Sequence, residues 1–149
     1  MRPARKPTQS GRTLGQVRQV NLLLDTCALI WLATAPKRLS HGMLALYEAP
    51  DNAVFFSVAS AWEIAIKHRS GKLRLPNEMS PVEFIPEVRR RHGIDILPLR
   101  EDDSFVLAKL PTIHHDPFDR MLICQAIANQ MIILTPDPLI SQYPVLTRW

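Results

Sequence analysis

Three things are scarce in this 149-residue chain: cysteine, long apolar runs, and any acidic residue in the first 20 positions. The two cysteines, Cys27 and Cys124, sit inside apolar segments without a paired spacing. That speaks against a disulfide framework and suits reduced, buried thiols in a cytosol. No apolar run approaches the roughly 18 uncharged residues that a membrane-spanning helix needs. A secretory signal is also missing, because the basic N-terminus runs into Pro, Thr, Gln and Gly instead of an apolar stretch. The expected address is the cytoplasm, without a membrane.

The missing acids leave residues 1–20 strongly basic, with Arg2, Arg5, Lys6, Arg12 and Arg18. Five of the 18 basic residues therefore lie in this arm, and the remaining 13 face 14 acidic residues. The net charge of +4 belongs to the arm. Its composition predicts a flexible, solvated extension, a reading favoured over an RNA-binding tail. Residues 21–149 contain no repeat, low-complexity tract or linker, and are long enough to bury one core.

Within that domain, short apolar runs alternate with helical patterns. The runs "VNLLLD", "NAVFFS", "IDILPL" and "MIILTPD" read as buried parallel strands, and the segment ending at Trp149 as a fifth. Between them "TCALIWLAT", "LSHGMLALYEAP", "VASAWEIAIKHRSGKL", "SPVEFIPEVRRRHG" and "EDDSFVLAKL" read as helices, with a last one running from Asp116 to about Gln130. Ser40 is a natural N-cap, Ser80 and Pro81 form a cap-then-N1 pair, and Gly71 and Gly93 are stops. Pro86 is expected to kink its helix or delay its start. The pattern predicts an α/β three-layer sandwich around a central, mostly parallel sheet of four to five strands.

In such sheets ligands bind beyond the carboxyl ends of the strands. Asp25 closes the first strand, Asp137 follows the fourth, Glu63 lies six residues beyond the second, and Asp119 opens the helix before the fourth. Four acids would thus converge on one edge. Each has a local alternative. Asp25 suits the N-cap of the next helix. Ser60 to Glu63 forms a capping-box pattern, although Ser57 is the more natural helix start. Asp116 could cap the helix that begins at Pro117, and Asp119 suits its positive end. Asp137 in "TPDP" is an ordinary turn acid. Converging carboxylates repel unless a cation or protons offset them. A hard divalent ion, Mg²⁺ or Mn²⁺, serves that purpose with oxygen ligands.

The remaining polar residues are less informative. The adjacent His114 and His115 lack the helical spacing of a zinc pair, and read first as a solvated pair. Lys67, His68, Arg69, Lys72 and Arg74 form a basic patch that suits a phosphate backbone or simply a solvent face. Arg120 pairs with Asp116 four residues earlier or reaches a phosphate.

The segments "LLLDTCALIWL", "FSVASAWEIAIKHRSGKLRL", "HHDPFDRMLICQA" and "ILTPDPLISQYPV" resemble, in order, those of PIN domains, and more narrowly VapC-type toxin ribonucleases of toxin–antitoxin pairs. The resemblance covers nearly all of residues 21–149. It implies a Rossmann-like sheet with an acidic pocket for Mg²⁺ or Mn²⁺. The family's acids fall on Asp25, Glu63, Asp119 and Asp137, with Thr26 and Asp116 as supporting residues. Asp25, Glu63 and Asp119 would hold one or two ions, with Asp137 completing the pocket. The implied activity is endonucleolytic RNA hydrolysis that leaves a 5′-phosphate and a 3′-hydroxyl. Arg120, Lys67 and Arg69 are the candidate backbone contacts. A cognate antitoxin and a homodimer are implied partners, with Trp31, Trp62 and Phe118 as lining residues unless they are core. Two positions depart from the pattern: Cys27 stands where relatives often carry histidine or a small polar residue, and His115 where arginine is common.

Two rivals remain. An aspartyl-phosphate enzyme wants a second acid two residues after the strand aspartate, and Cys27 stands there. A catalytically silent PIN-like module that binds RNA or protein would be expected to lack an acid, and all four are present.

Overall fold

The computed structural model describes residues 19–149, so all but the last two residues of the arm lie outside the described residues. Val20 already belongs to the fold. Its N–H donates to Asn52 Oδ1 at 3.1 Å, its carbonyl accepts from Ala53, and its side chain packs on the core.

The chain begins with β1 (Asn21–Leu24), α1 (Thr26–Thr34), α2 (His41–Glu48), β2 (Ala53–Ser57) and α3 (Val58–Arg69). It continues through α4 (Pro81–His92), β3 (Asp95–Leu97) and α5 (Glu101–Phe105). It closes with α6 (Pro117–Ala128), β4 (Ile132–Leu134) and β5 (Leu146–Arg148). All five strands are parallel, in the order β3-β2-β1-β4-β5.

Successive strand residues point to opposite faces, and that rule divides the core in two. Leu22, Leu24, Val54 and Phe56 pack against Ala28 and Leu29 of α1, Met43 of α2 and Phe84 of α4. Leu23 and Ile133, on the other face, pack against Leu122, Ile123 and Ala126 of α6. The result is the expected three-layer α/β/α sandwich.

Local chemistry accounts for the helix limits. Ser40 Oγ accepts from Met43 N at 3.1 Å and starts α2. Glu83 Oε2 accepts from Ser80 N at 2.9 Å and starts α4. Gly93, at φ 61°, ends α4 in the left-handed region that glycine tolerates. Pro86 neither delays nor ends α4. It sits on the solvent side, where the Val82 carbonyl that loses its donor is at a well-exposed residue open to water.

Two elements are shorter than the sequence suggests. Residues 101–110 form only the short α5 followed by a 3-10 turn over Val106–Lys109. Pro111 disfavours helical geometry at Leu110, which is extended. The helix expected to reach Gln130 stops at Ala128, because Asn129 Nδ2 donates back to the Gln125 carbonyl at 2.7 Å and Gln130 turns to φ 53°.

The topology sets up the site. The chain builds outward from β1 to β2 and β3, then crosses back to place β4 on the other flank of β1. Where the winding direction reverses, a crevice opens beyond the strand ends. It lies between β1 and β4.

Candidate active site

Asp25 stands at that reversal. Its N–H donates to the Leu134 carbonyl at 3.1 Å, which carries the β1–β4 pairing one residue further. Its two carboxylate oxygens then do different things. Oδ1 accepts from Thr26 N at 2.6 Å and caps α1. Oδ2 accepts from the Thr135 hydroxyl at 2.6 Å, just beyond the end of β4. Cap and crevice acid are therefore one residue. Burial pushes the Asp25 carboxyl up from its ordinary pKa; the Thr135 and Thr26 hydrogen bonds oppose that, while the Glu63 and Asp137 charges add to it.

Glu63 reaches the crevice from α3. Ser57 caps this helix by accepting from Ala59 N at 3.0 Å, so Ser60 is no cap and Glu63 falls in the second turn. The Ser57 hydroxyl also donates to Gln125 Oε1 and ties the start of α3 to α6. Glu63 is buried, and its oxygens are both engaged. Oε1 accepts from the Thr26 hydroxyl at 2.7 Å, and Oε2 pairs with Lys67 Nζ at 2.8 Å. Thr26 thus bridges Asp25 and Glu63. The hydrogen bond to Glu63 raises the Lys67 pKa, so this lysine is tethered to the site as its counter-charge.

The third group comes from the start of α6. Asp116 Oδ1 accepts from Phe118 N at 2.8 Å and from Asp119 N at 3.3 Å, capping the helix ahead of Pro117. Asp119 follows in the first turn. Its Oδ2 lies 2.9 Å from His114 Nε2, and Asp137 Oδ2 lies 3.0 Å from the same nitrogen. Burial raises the Asp119 pKa to about 7, with the Asp25 and Asp116 charges adding and His114 opposing. Asp137 closes the circuit, because its N–H donates to Thr135 Oγ1 at 3.1 Å.

The four predicted acids therefore belong to one network: Asp25 and Glu63 through Thr26, Asp25 and Asp137 through Thr135, and Asp119 and Asp137 through His114. Asp116 braces the helix start from the same side. The N-termini of α1 and α6 put their positive ends beside Asp25 and Asp119. Lys67 is the one lysine or arginine that ion-pairs with these acids among the described residues.

Several residues are placed differently from the sequence reading. His114 is half-buried within the cluster; only His115 is exposed. Arg120 meets Asp116 through backbone alone, at 3.1 Å. Its side chain lines a separate groove of about 180 Å³ with Leu99, Leu107, Met121 and Cys124. Trp31 belongs to the fold, its ring 5.7 Å from that of Trp149 and covered by Arg38. Trp62 is 65% exposed, and Phe118 is half-buried. Arg69, Lys72 and Arg74 are exposed. Cys27 points its thiol at Asp25 Oδ2, 3.7 Å away, and burial beside that charge lifts its pKa to about 12.

Sequence reasoning missed two functional-looking groups, His114 and Thr135. A hydroxyl after "MIIL" and a histidine in a loop carry no local pattern. Only the fold brings them to the acids.

This oxygen-rich cluster fits a hard divalent cation, because several negative groups face one lysine and the Asp119 proton is held far above its ordinary range. Comparison with known proteins agrees in fold. The family model of the PIN domain matches residues 22–146. A VapBC2 complex from Rickettsia felis bound to a promoter DNA fragment is similar at TM-score 0.64 and 13% identity, covering 87% of this chain and 98% of that one. VapBC-1 from nontypeable Haemophilus influenzae gives TM-score 0.57 and 15% identity, covering 87% and 97%. A domain of a functionally unknown protein from Methanocaldococcus jannaschii gives 0.52 and 16%, covering 87% and 90%. No curated protein matches the sequence significantly.

Proposed function

Since the chain belongs to the PIN domain family, we propose that it is a metal-dependent endoribonuclease, the VapC-type toxin of a toxin–antitoxin pair. The observation that carries this reading is the linked set of Asp25, Glu63, Asp119 and Asp137 around the β1–β4 crevice. The substrate chemistry is hydrolysis of an RNA phosphodiester, leaving a 5′-phosphate and a 3′-hydroxyl.

Asp25, Glu63 and Asp119 would hold Mg²⁺ or Mn²⁺, and Asp137 would complete the pocket. When bound, such an ion lowers the pKa of water and neutralises charge developing on phosphate oxygens. The protein's own residues supply the rest. Thr26 and Thr135 hold the Asp25 and Glu63 carboxylates in fixed orientation. Asp116 fixes the first turn of α6 and with it Asp119. Lys67 and Arg69, on the last turn of α3, would contact backbone phosphates, which position RNA without reading its sequence. Arg120, facing the neighbouring groove, would reach a phosphate only beyond the acids.

An antitoxin that covers the pocket is the proposed protein partner, alongside a homodimer. Val58, Trp62 and Ile66 support a docked partner: they lie four residues apart along α3 and leave an exposed apolar stripe beside Glu63. The proposed place of action is the cytoplasm; none of the described helices is long and apolar enough to cross a membrane.

The test is cleavage of a mixed RNA pool by antitoxin-free protein in Mg²⁺, in EDTA, and as Asp25→Asn in Mg²⁺. Cleavage seen only for wild type with Mg²⁺ establishes the nuclease and its acidic site. Intact RNA in all three arms, from folded protein, favours the silent binding module.

A further inference from the structure

His114 stands between two of the acids, and its role depends on which ring nitrogen carries the proton. The backbone settles that. The Asp116 N–H donates to His114 Nδ1 at 3.1 Å, and an amide N–H can only donate. Nδ1 is therefore the acceptor, and the neutral ring carries its hydrogen on Nε2. That N–H faces Asp119 Oδ2 at 2.9 Å and Asp137 Oδ2 at 3.0 Å.

A nitrogen that donates cannot also offer a lone pair to a cation. Although His114, Asp119 and Asp137 bring their polar atoms within 4.8 Å of one another, the ring is thus a poor ligand while Asp116 holds Nδ1. It is a good clamp. One Nε2–H draws together, through one oxygen of each, two carboxylates that would otherwise repel. The other Asp137 oxygen, Oδ1, accepts from Leu139 N at 2.8 Å and fixes that carboxylate from the loop side. The loop is fixed for this task from elsewhere in the fold. The buried Tyr143 hydroxyl accepts from Ile113 N at 3.0 Å and from His114 N at 2.7 Å.

We propose that His114 is a positioning residue that orients Asp119 and Asp137 for a divalent cation by donating from Nε2 to both, without itself ligating the ion. The inference rests on the reading that the acids bind a cation. Hydrogen bonds to ligating carboxylates typically matter about ten- to hundred-fold in metal affinity.

The experiment measures Mn²⁺ binding to the metal-stripped protein by calorimetry and electron paramagnetic resonance, with no RNA present. Wild type, His114→Ala and His114→Gln are compared, each checked for a cooperative melt. His114→Ala is expected to weaken Mn²⁺ binding about ten-fold or more. His114→Gln, whose amide N–H2 donates from nearly the place of Nε2, is expected to recover most of it. Equal affinity in wild type and His114→Ala would overturn the positioning role, as would tighter binding in His114→Ala. So would a Gln variant that stays as weak as Ala. No Mn²⁺ binding by wild type would instead overturn the metal reading, and this inference with it. If His114→Ala does not melt cooperatively, the comparison of wild type with His114→Gln decides: a change beyond about three-fold overturns the clamp, since the donated hydrogen bond is retained.

Discussion

Thr135 Oγ1 donates its hydrogen to Asp25 Oδ2 at 2.6 Å across 110 residues of chain and itself accepts the Asp137 N–H at 3.1 Å. One side chain therefore joins the ends of β1 and β4 and orients two acids. Thr135→Val keeps the shape and removes both interactions. A hydrogen bond to a charged group contributes about 1.5–3 kcal/mol, so chemical denaturation should show a loss of that order. Because the Thr135 bond lowers the Asp25 pKa, the variant should also bind Mn²⁺ more weakly at slightly acidic pH.

Asp119 makes the metal-free protein pH-sensitive in an unusual direction. Its folded pKa, about 7, stands above the ordinary 3.8. The folded state therefore holds a proton that the unfolded chain releases. Stability is highest below about pH 4 for this group and falls as pH rises to about 7. In chelator, the difference in melting temperature between wild type and Asp119→Asn should shift in favour of the variant from pH 5 to pH 8. Saturating Mn²⁺ should raise the wild-type melting temperature more at pH 8 than at pH 5, while Asp119→Asn loses RNA cleavage.

The loop before α6 hangs on one phenol. Tyr143→Phe deprives Ile113 and His114 of the acceptor for their N–H groups. An unsatisfied buried donor costs about 1–3 kcal/mol, and denaturant titration should find a loss in that range. Hydrogen exchange should show residues 112–116 opening faster than in wild type, with the β1–β2 amides unchanged.

Cys27 should be chemically silent despite lying at the crevice. A thiol with a pKa of about 12 supplies almost no thiolate at neutral pH. At pH 8 the native protein should resist a disulfide reagent that titrates both Cys27 and Cys124 rapidly after unfolding. Cys27→Ser should retain cleavage.

The acids were legible because strand ends are legible. "NLLLD" and "IILTPD" announce where a buried strand stops, and topology then carries Asp25 and Asp137 to one rim. Glu63 required a choice between two helix starts. Ser57, directly after "AVFF", is the more natural one locally and caps α3, while its second bond, to Gln125, is a tertiary contact that no local pattern encodes. His114 was hidden for a similar reason. Its spacing matches no ligand motif, and its orientation is set by Tyr143 from a distant segment. Arg120 shows the opposite failure: its i, i+4 spacing to Asp116 is correct, but packing turns the side chain into the groove beside α5.

The strand order has a consequence for the order of synthesis. β1 lies at the middle of the sheet, yet its second neighbour, β4, leaves the ribosome more than 100 residues later. Until then one flank of Leu22, Leu23 and Leu24 is an open edge, a liability that a nascent chain must keep shielded. Through residue 118 the nascent chain holds only Asp25 and Glu63 of the four acids, and Lys67 pairs with the second. Asp119 and Asp137 flank the strand that closes the edge. Birth of the folded core and birth of the charged crevice are thus a single late event, and no shorter nascent fragment carries the complete set of acids.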